Sequence, residues 1–122
     1  MYCENLRVRE IQQQVAESPF YLYSLGQIKK NYQDYALALQ SLKSIIGYAI
    51  KANNNFHILK HLQQMGSGAV LVSGNELKLA LMAGFEPQHM IFNGNGKTLP
   101  ELTLAVKHGV MVNIDSEFDL RH

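Results

Sequence analysis

Gln64-Met65-Gly66-Ser67-Gly68-Ala69-Val70-Leu71-Val72-Ser73-Gly74 is the stretch whose reading decides the fold. A helical pattern ends at Gly66, and glycine suits the left-handed position just past a helix's last turn. The run Ala69–Val72 is short, apolar and uncharged, as a buried strand is. Ser73 then leads into the next helix. The same order returns twice: Met82-Ala83-Gly84 precedes Met90-Ile91-Phe92, and Lys107-His108-Gly109 precedes Val110-Met111-Val112. With a first apolar run from Ile45 to Ile50, strand starts fall near 45, 69, 90 and 110, about every 20 residues. Helices alternating with strands at that spacing predict parallel strands joined by right-handed crossovers.

Working outward, residues 6–16 predict an amphipathic helix with Val8, Ile11 and Val15 on one face. Residues 25–42 predict a longer one, with Ile28, Tyr32, Tyr35, Leu39 and Leu42 facing the core. Shorter helices are expected over 56–65, 76–83 and 100–108, the last with Pro100 at its first position. Phe20-Tyr21-Leu22-Tyr23 reads as a separate strand entered through Pro19. The fold class is therefore α/β: about four βα units plus a preceding strand and helix. A closed (β/α)8 barrel needs eight strands and roughly 250 residues. Periodicity alone leaves open a small doubly wound sheet or the N-terminal part of a (β/α)8 TIM barrel. Asp115-Ser116-Glu117-Phe118-Asp119-Leu120 looks like a capped helix start, with Asp115 or Ser116 at the cap, and the chain stops at His122. The expectation is a barrel truncated at its C-terminal end.

The 122 residues carry a formal net charge of +1 and are 47% hydrophobic, which describes one ordinary globular unit. No basic footprint for nucleic acid and no apolar stretch long enough for a membrane helix is present. Met1–Glu10 lacks the features of a targeting segment, so the expectation is a cytoplasmic or stromal setting, or a chain whose targeting segment is absent. Cys3 is the only cysteine, which rules out an internal disulfide.

Four features can carry chemistry. Lys51 ends the Ile45–Ile50 run, so it would emerge at a strand's carboxyl end, where βα proteins place their sites. A partly desolvated amine there suits a Schiff-base role; the commoner reading from position alone is a strand-end lysine reaching into water. Asn93-Gly94-Asn95-Gly96-Lys97-Thr98 follows a strand and precedes a helix, but Ile91 stands where a nucleotide P-loop needs its first glycine and Leu99 where the dinucleotide fingerprint needs its third. It reads as a glycine-rich turn that lets a ligand or loop approach. His57 and His61 have metal-ligand spacing without a third ligand, so they read as exposed helix histidines. Ser73 with Glu76 reads either as a capping box or as a polar pair at the mouth of a site.

Taken together, these segments resemble the N-terminal part of the diaminopimelate decarboxylases, pyridoxal-phosphate enzymes of the alanine-racemase-like fold (fold type III). The matching pieces are Pro19–Ser24, Gly47-Tyr48-Ala49-Ile50-Lys51-Ala52-Asn53, Val72-Ser73-Gly74-Asn75-Glu76-Leu77, Phe92–Lys97 and Val112–Glu117, in order along nearly the whole chain. Their wording is most similar to plant or cyanobacterial members. The resemblance implies an N-terminal helix and strand over 1–24 and a partial pyridoxal 5'-phosphate-binding barrel over 25–122. It implies decarboxylation of meso-2,6-diaminopimelate to L-lysine by the parent enzyme, a homodimer with a small amino-acid substrate and neither nucleic acid nor membrane as partner.

By the same resemblance Lys51 is the catalytic residue that condenses with the cofactor's aldehyde, and Lys51, Asn53, Ser73 and Glu76 line the cofactor, with no metal. Many members carry an acidic residue where Val70 stands, which leaves Glu76 as the nearest carboxylate candidate for Lys51. The family's ring-stacking histidine, phosphate loop and C-terminal β-domain have no counterpart in the 122 residues. The chain alone is therefore expected to be inactive. The alternatives are a non-catalytic cofactor carrier of the same barrel type, or a truncated product without function.

Overall fold

The computed structural model of the protein describes residues 1–121; His122, where the expected stop falls, lies outside them. A hairpin of two-residue strands, β1 (Tyr2–Cys3) and β2 (Leu6–Arg7), opens the chain and leads into helix α1 (Val8–Gln14). Helix α2 (Leu25–Ala38) follows, then β3 (Gly47–Ala49), a single 3₁₀ turn (Ile50–Ala52) and α3 (Phe56–Gln64). Strand β4 (Gly68–Leu71), α4 (Gly74–Ala83), β5 (Met90–Phe92), α5 (Leu99–His108), β6 (Met111–Val112) and α6 (Glu117–Arg121) complete it.

Strands β3, β4, β5 and β6 form one sheet in that order, every pair parallel. This is the sequential order of neighbouring strands in a (β/α)8 barrel, so the chain is α/β with four βα units, as expected. The glycine stops behave as read: Gly66, Gly84 and Gly109 have φ of 86°, 91° and 72°, a region that costs a side-chain-bearing residue roughly 1–2 kcal/mol. Each lets the chain reverse from helix into the next strand. Gly68 is fixed by contact instead, because a Cβ there would strike the His89 carbonyl oxygen.

Alternation along the strands divides the sheet. The rows Ala69–Met90 and Leu71–Phe92–Val112 meet the helices, and Ala69, Leu71, Met90 and Phe92 are 0% exposed. Leu59, Leu77, Ala80 and Ala105 of α3, α4 and α5 join them in one core. The opposite row, Ala49–Val70–Ile91–Met111, stays partly open, and Val70, Ile91 and Met111 line a groove of about 250 Å³ with Ile45 and Gly47.

Several expectations need correction. Phe20–Tyr23 joins neither sheet; its tyrosines instead stack on each other and stand exposed. The Ile45–Ile50 run is not a buried strand: only Gly47–Ala49 pair, and Ile45 is 58% exposed. The reason is that β3 lies at the sheet's edge with β4 as its one neighbour. Helix α1 buries nothing, and Val15 lies beyond its end. Helix α2 stops at Ala38, touches the core through Ile28 and Tyr32, and leaves Tyr35 and Leu42 exposed. No helix among the described residues is long and apolar enough to cross a membrane.

Phe92 is the largest side chain with no exposure at all. Phe92→Ala should therefore cost about 3–5 kcal/mol, read as a lower urea midpoint of the full-length gene product.

Candidate functional site

Parallel strands deliver all their following loops to one end of the sheet. Lys51 leaves β3, Ser73 and Glu76 follow β4, the 93–97 turn follows β5, and Asn113 and Asp115 follow β6. The sequence-predicted residues are thus gathered at a single mouth.

Lys51 sits in the 3₁₀ turn between Ile50, which is 0% exposed, and Asn53. Its side chain is exposed and makes no hydrogen bond or ion pair with the described residues. The expected desolvation of the amine is therefore not provided by this chain's own atoms, because β3 has no strand on its outer side. The turn beneath it is tightly held. Tyr48 Oη donates to the Asn53 carbonyl at 3.1 Å, Asn55 N–H donates to Asn53 Oδ1 at 2.9 Å, and Asn55 caps α3 by accepting from the His57 and Ile58 amides.

Ser73 caps α4 as predicted, its Oγ accepting from Glu76 N–H at 3.3 Å. Glu76 does not pair with Lys51, since its Oε2 accepts from Val72 N–H at 2.8 Å. A short tether from the helix's first turn holds that carboxylate over its own strand end, so the expected carboxylate partner for Lys51 is not there.

The sequence reading missed Glu101. Helix α5 begins at Leu99, one residue before the expected start, with Pro100 second and Thr98 at the cap. Glu101 Oε2 accepts from Thr98 N–H at 2.9 Å and Thr98 Oγ1 at 2.8 Å, closing a capping box. Its other oxygen accepts from Gly74 N–H at 2.6 Å. One carboxylate thus serves the N-termini of two helices, where the backbone dipoles favour negative charge. A Cβ on Gly74 would lie 2.6 Å from Glu101 Cγ, so glycine is needed there. The signal for the capping box, Thr98-x-x-Glu101, stood in the sequence; the bond to Gly74 had none.

The 93–97 turn is a built structure. Gly94 takes φ of 97° over Val72. Asn93 N–H extends the ladder to the Leu71 carbonyl at 2.8 Å, and Asn113 N–H does the same to Phe92 at 3.0 Å. Asn113 Nδ2 donates to Asn93 Oδ1. The Lys97 side chain is 2% exposed; its ammonium donates to the Gly94 carbonyl and lies 3.4 Å from Asp115 Oδ2. A lysine that would have passed for a phosphate-binding residue instead clamps two loops together.

His57 is exposed as expected, but His61 is half-buried and its Nε2 is enclosed without a partner among the described residues. No group of three metal-ligating side chains occurs among those residues.

Comparison with known proteins follows the same lines. Residues 25–122 match the family described as "Pyridoxal-dependent decarboxylase, pyridoxal binding domain". The chain is 57% identical over 122 residues to a probable chloroplastic diaminopimelate decarboxylase of Oryza sativa subsp. japonica, covering 100% of this chain and 25% of the relative. It is 40% identical over 109 residues to a diaminopimelate decarboxylase of Helicobacter pylori strain J99, covering 88% of this chain and 27% of that one. Among solved structures it resembles a Helicobacter pylori diaminopimelate decarboxylase complexed with L-lysine, with a TM-score of 0.88, 38% identity and coverage of 93% and 29% of the two chains. It also resembles a diaminopimelate decarboxylase from M. jannaschi, with a TM-score of 0.94, 31% identity and coverage of 98% and 29%. The chain spans about a quarter of the length of the curated relatives it matches.

Hydrogen bonds from the Thr98 amide, the Gly74 amide and the Thr98 hydroxyl hold the Glu101 carboxyl below the usual carboxylate range. A depressed pKa contributes stability above the unfolded carboxylate's pKa and loses it as pH falls through the folded value. Glu101→Gln should accordingly cost about 1 kcal/mol near neutral pH, a hydrogen-bond value discounted for solvent exposure. The cost should shrink below about pH 4, near the ordinary carboxylate value, when urea midpoints of the two proteins are compared across pH.

Proposed function

We propose, since the chain belongs to the pyridoxal-dependent decarboxylase family, that it supplies the lysine-bearing mouth of a barrel enzyme that decarboxylates meso-2,6-diaminopimelate to L-lysine. The observation that carries the reading is Lys51: a primary amine without an ion pair among the described residues, on a fixed turn, just past the carboxyl end of a strand in a parallel sheet. The similarity to plant and bacterial diaminopimelate decarboxylases supports this branch of the family.

The residues present fit pyridoxal 5'-phosphate. An aldehyde needs an amine that is accessible and not engaged elsewhere. Lys51 meets both conditions among the described residues and stands just past β3, whereas Lys97 is enclosed and paired, Lys30 is bonded to Asp34 at 2.6 Å, and the exposed Lys43 and Lys60 lie away from the strands' carboxyl ends. When bound, the cofactor's ring accepts the electrons left as carbon dioxide departs. This chain's part is to hold and place. Lys51, on a turn that the Tyr48–Asn53 bond keeps in position, is the residue that would hold the cofactor through its side-chain amine. Ser73 and Glu76 shape the adjoining loop by capping α4 and tying the end of β4. Asn53 borders the site through the same turn. Val70, on the open face beside Ala49, supplies no charge there.

The chain's 25–122 segment is read as the pyridoxal-binding domain, working in a homodimer on a small amino acid. The chloroplastic label of the rice relative supports a stromal setting if the source is a plant, and a cytoplasmic one if it is bacterial.

Borohydride reduction of the full-length gene product with pyridoxal phosphate bound should fix the cofactor on Lys51. Peptide mapping that finds it on Lys43, Lys60 or Lys97 would sink the assignment. Lys51→Ala should abolish the lysine-bound cofactor's absorbance, and Lys51→Arg should as well, because a guanidinium is not a workable amine nucleophile.

The 122-residue polypeptide by itself should not decarboxylate. Both β3 and β6 are sheet edges among the described residues, and the Ala49–Val70–Ile91–Met111 row stays partly open; exposed edges of this kind invite aggregation. Mixed with pyridoxal phosphate and meso-diaminopimelate, it should release carbon dioxide no faster than the cofactor alone. A cooperative melt with turnover well above that level would overturn this expectation.

A further inference from the structure

We propose that Tyr48 is a positioning residue for Lys51, acting through its phenol's hydrogen bond across the lysine's turn. The proposal rests on reading Lys51 as the cofactor-holding amine. Tyr48 lies three residues before Lys51, and Asn53, whose carbonyl accepts its hydroxyl at 3.1 Å, lies two after. The phenol therefore spans the Ile50–Ala52 turn from one side to the other.

The ring is itself fixed. It is half-buried, packs against the core, and lines a cavity of about 350 Å³ with Ile28 and Tyr32 of α2. Burial raises the phenol above its ordinary pKa, with Tyr23 adding to the effect, so the hydroxyl stays a donor through neutral pH. Ile50 anchors the turn from within at 0% exposure, and the Asn53–Asn55 bond couples its far end to the capped start of α3. The lysine's backbone is thus held on both sides while its amine has no partner among the described residues. A flexible four-carbon stem is only as well aimed as its base, and small misplacements of a reacting group cost large factors in rate.

Nothing in the strand pattern requires the hydroxyl. Phenylalanine would fill the same space between the core and α2, so Tyr48→Phe isolates the O–H. In the full-length gene product without cofactor, amide hydrogen exchange across residues 50–55 should quicken about fivefold, the factor that corresponds to one lost hydrogen bond. With cofactor bound, kcat should fall by about tenfold or more while KM for the amino acid changes less than about twofold, the pattern of a misaimed group rather than a lost substrate contact. Borohydride should still label Lys51 in both proteins; a label elsewhere would defeat the reading of Lys51 and this proposal with it, whereas a label on Lys51 leaves the outcomes below to decide this proposal alone.

A Tyr48→Phe protein with exchange and kcat both at the wild-type values overturns the proposal. So does faster exchange with unchanged kcat, since the bond would then be structural only, or reduced kcat with unchanged exchange. Should Tyr48→Phe fail to fold, a fluorinated tyrosine at position 48 tests the same point. Its phenol ionises at lower pH, so kcat should acquire an alkaline limb that the wild type lacks, and no such limb would overturn the proposal.

Discussion

Parallel pairing of β3, β4, β5 and β6 is the constraint on which the rest of this structure depends. Parallel strands need a crossover of a dozen or more residues between them, and here each crossover is a helix that ends at a left-handed glycine. The consequence is directional. Every loop that follows a strand falls at the same end of the sheet, and residues as distant in sequence as Lys51 and Asp115 come to one mouth. Helix packing on one face supplies the burial that keeps the ladder in register, through Leu71, Phe92, Leu77 and Ala105. The opposite row of Ala49, Val70, Ile91 and Met111 is only partly covered among the described residues.

The mouth is organised by polar side chains turned toward backbone rather than toward open space. Glu101 joins the starts of α4 and α5, Glu76 ties down the end of β4, Asn113 meets Asn93, and Lys97 bridges Gly94 and Asp115. Each of these groups is charged or an amide and could pass for a ligand-binding residue on composition alone. The Glu101, Glu76 and Lys97 bonds instead satisfy backbone amides and a carbonyl that loops leave without ladder partners, and the Asn113–Asn93 and Lys97–Asp115 pairs tie loop to loop. Lys51 differs from them in having a fixed base and an unengaged tip. What sets it apart from Lys43 and Lys60, which are as exposed and as unpaired among the described residues, is its place at the mouth just past β3.

Much of this was legible in the residues. The recurring helix–glycine–strand order predicted the parallel sheet, and the segments around Lys51, Ser73 and Gly94 carried the resemblance that the comparisons uphold. The failures are instructive. Phe20–Tyr23 has the composition of a strand, yet no neighbouring strand pairs with it. Tyr35 and Leu42 have helical spacing, yet α2 meets the core only near Ile28 and Tyr32. Glu76 stands in the right register for a site carboxylate, yet the nearest unsatisfied amide, that of Val72, claims it.

By itself, then, the sequence determined what is local and periodic: where the three crossover helices stop at a glycine, which short runs after them pair, which turns need glycine, and which lysine follows the first strand of the parallel sheet. These follow from backbone sterics and side-chain period, and both act within a few residues. Tertiary structure alone decided that β3 is an edge, that Glu101 reaches back to Gly74, that Lys97 is enclosed beside Asp115, and that Tyr48 closes the turn under Lys51. The Glu101 and Lys97 contacts join segments 18 or more residues apart, and the Tyr48 contact depends on a ring held by another helix. Their geometry exists only once the strands have paired and the helices have packed, which no local pattern encodes.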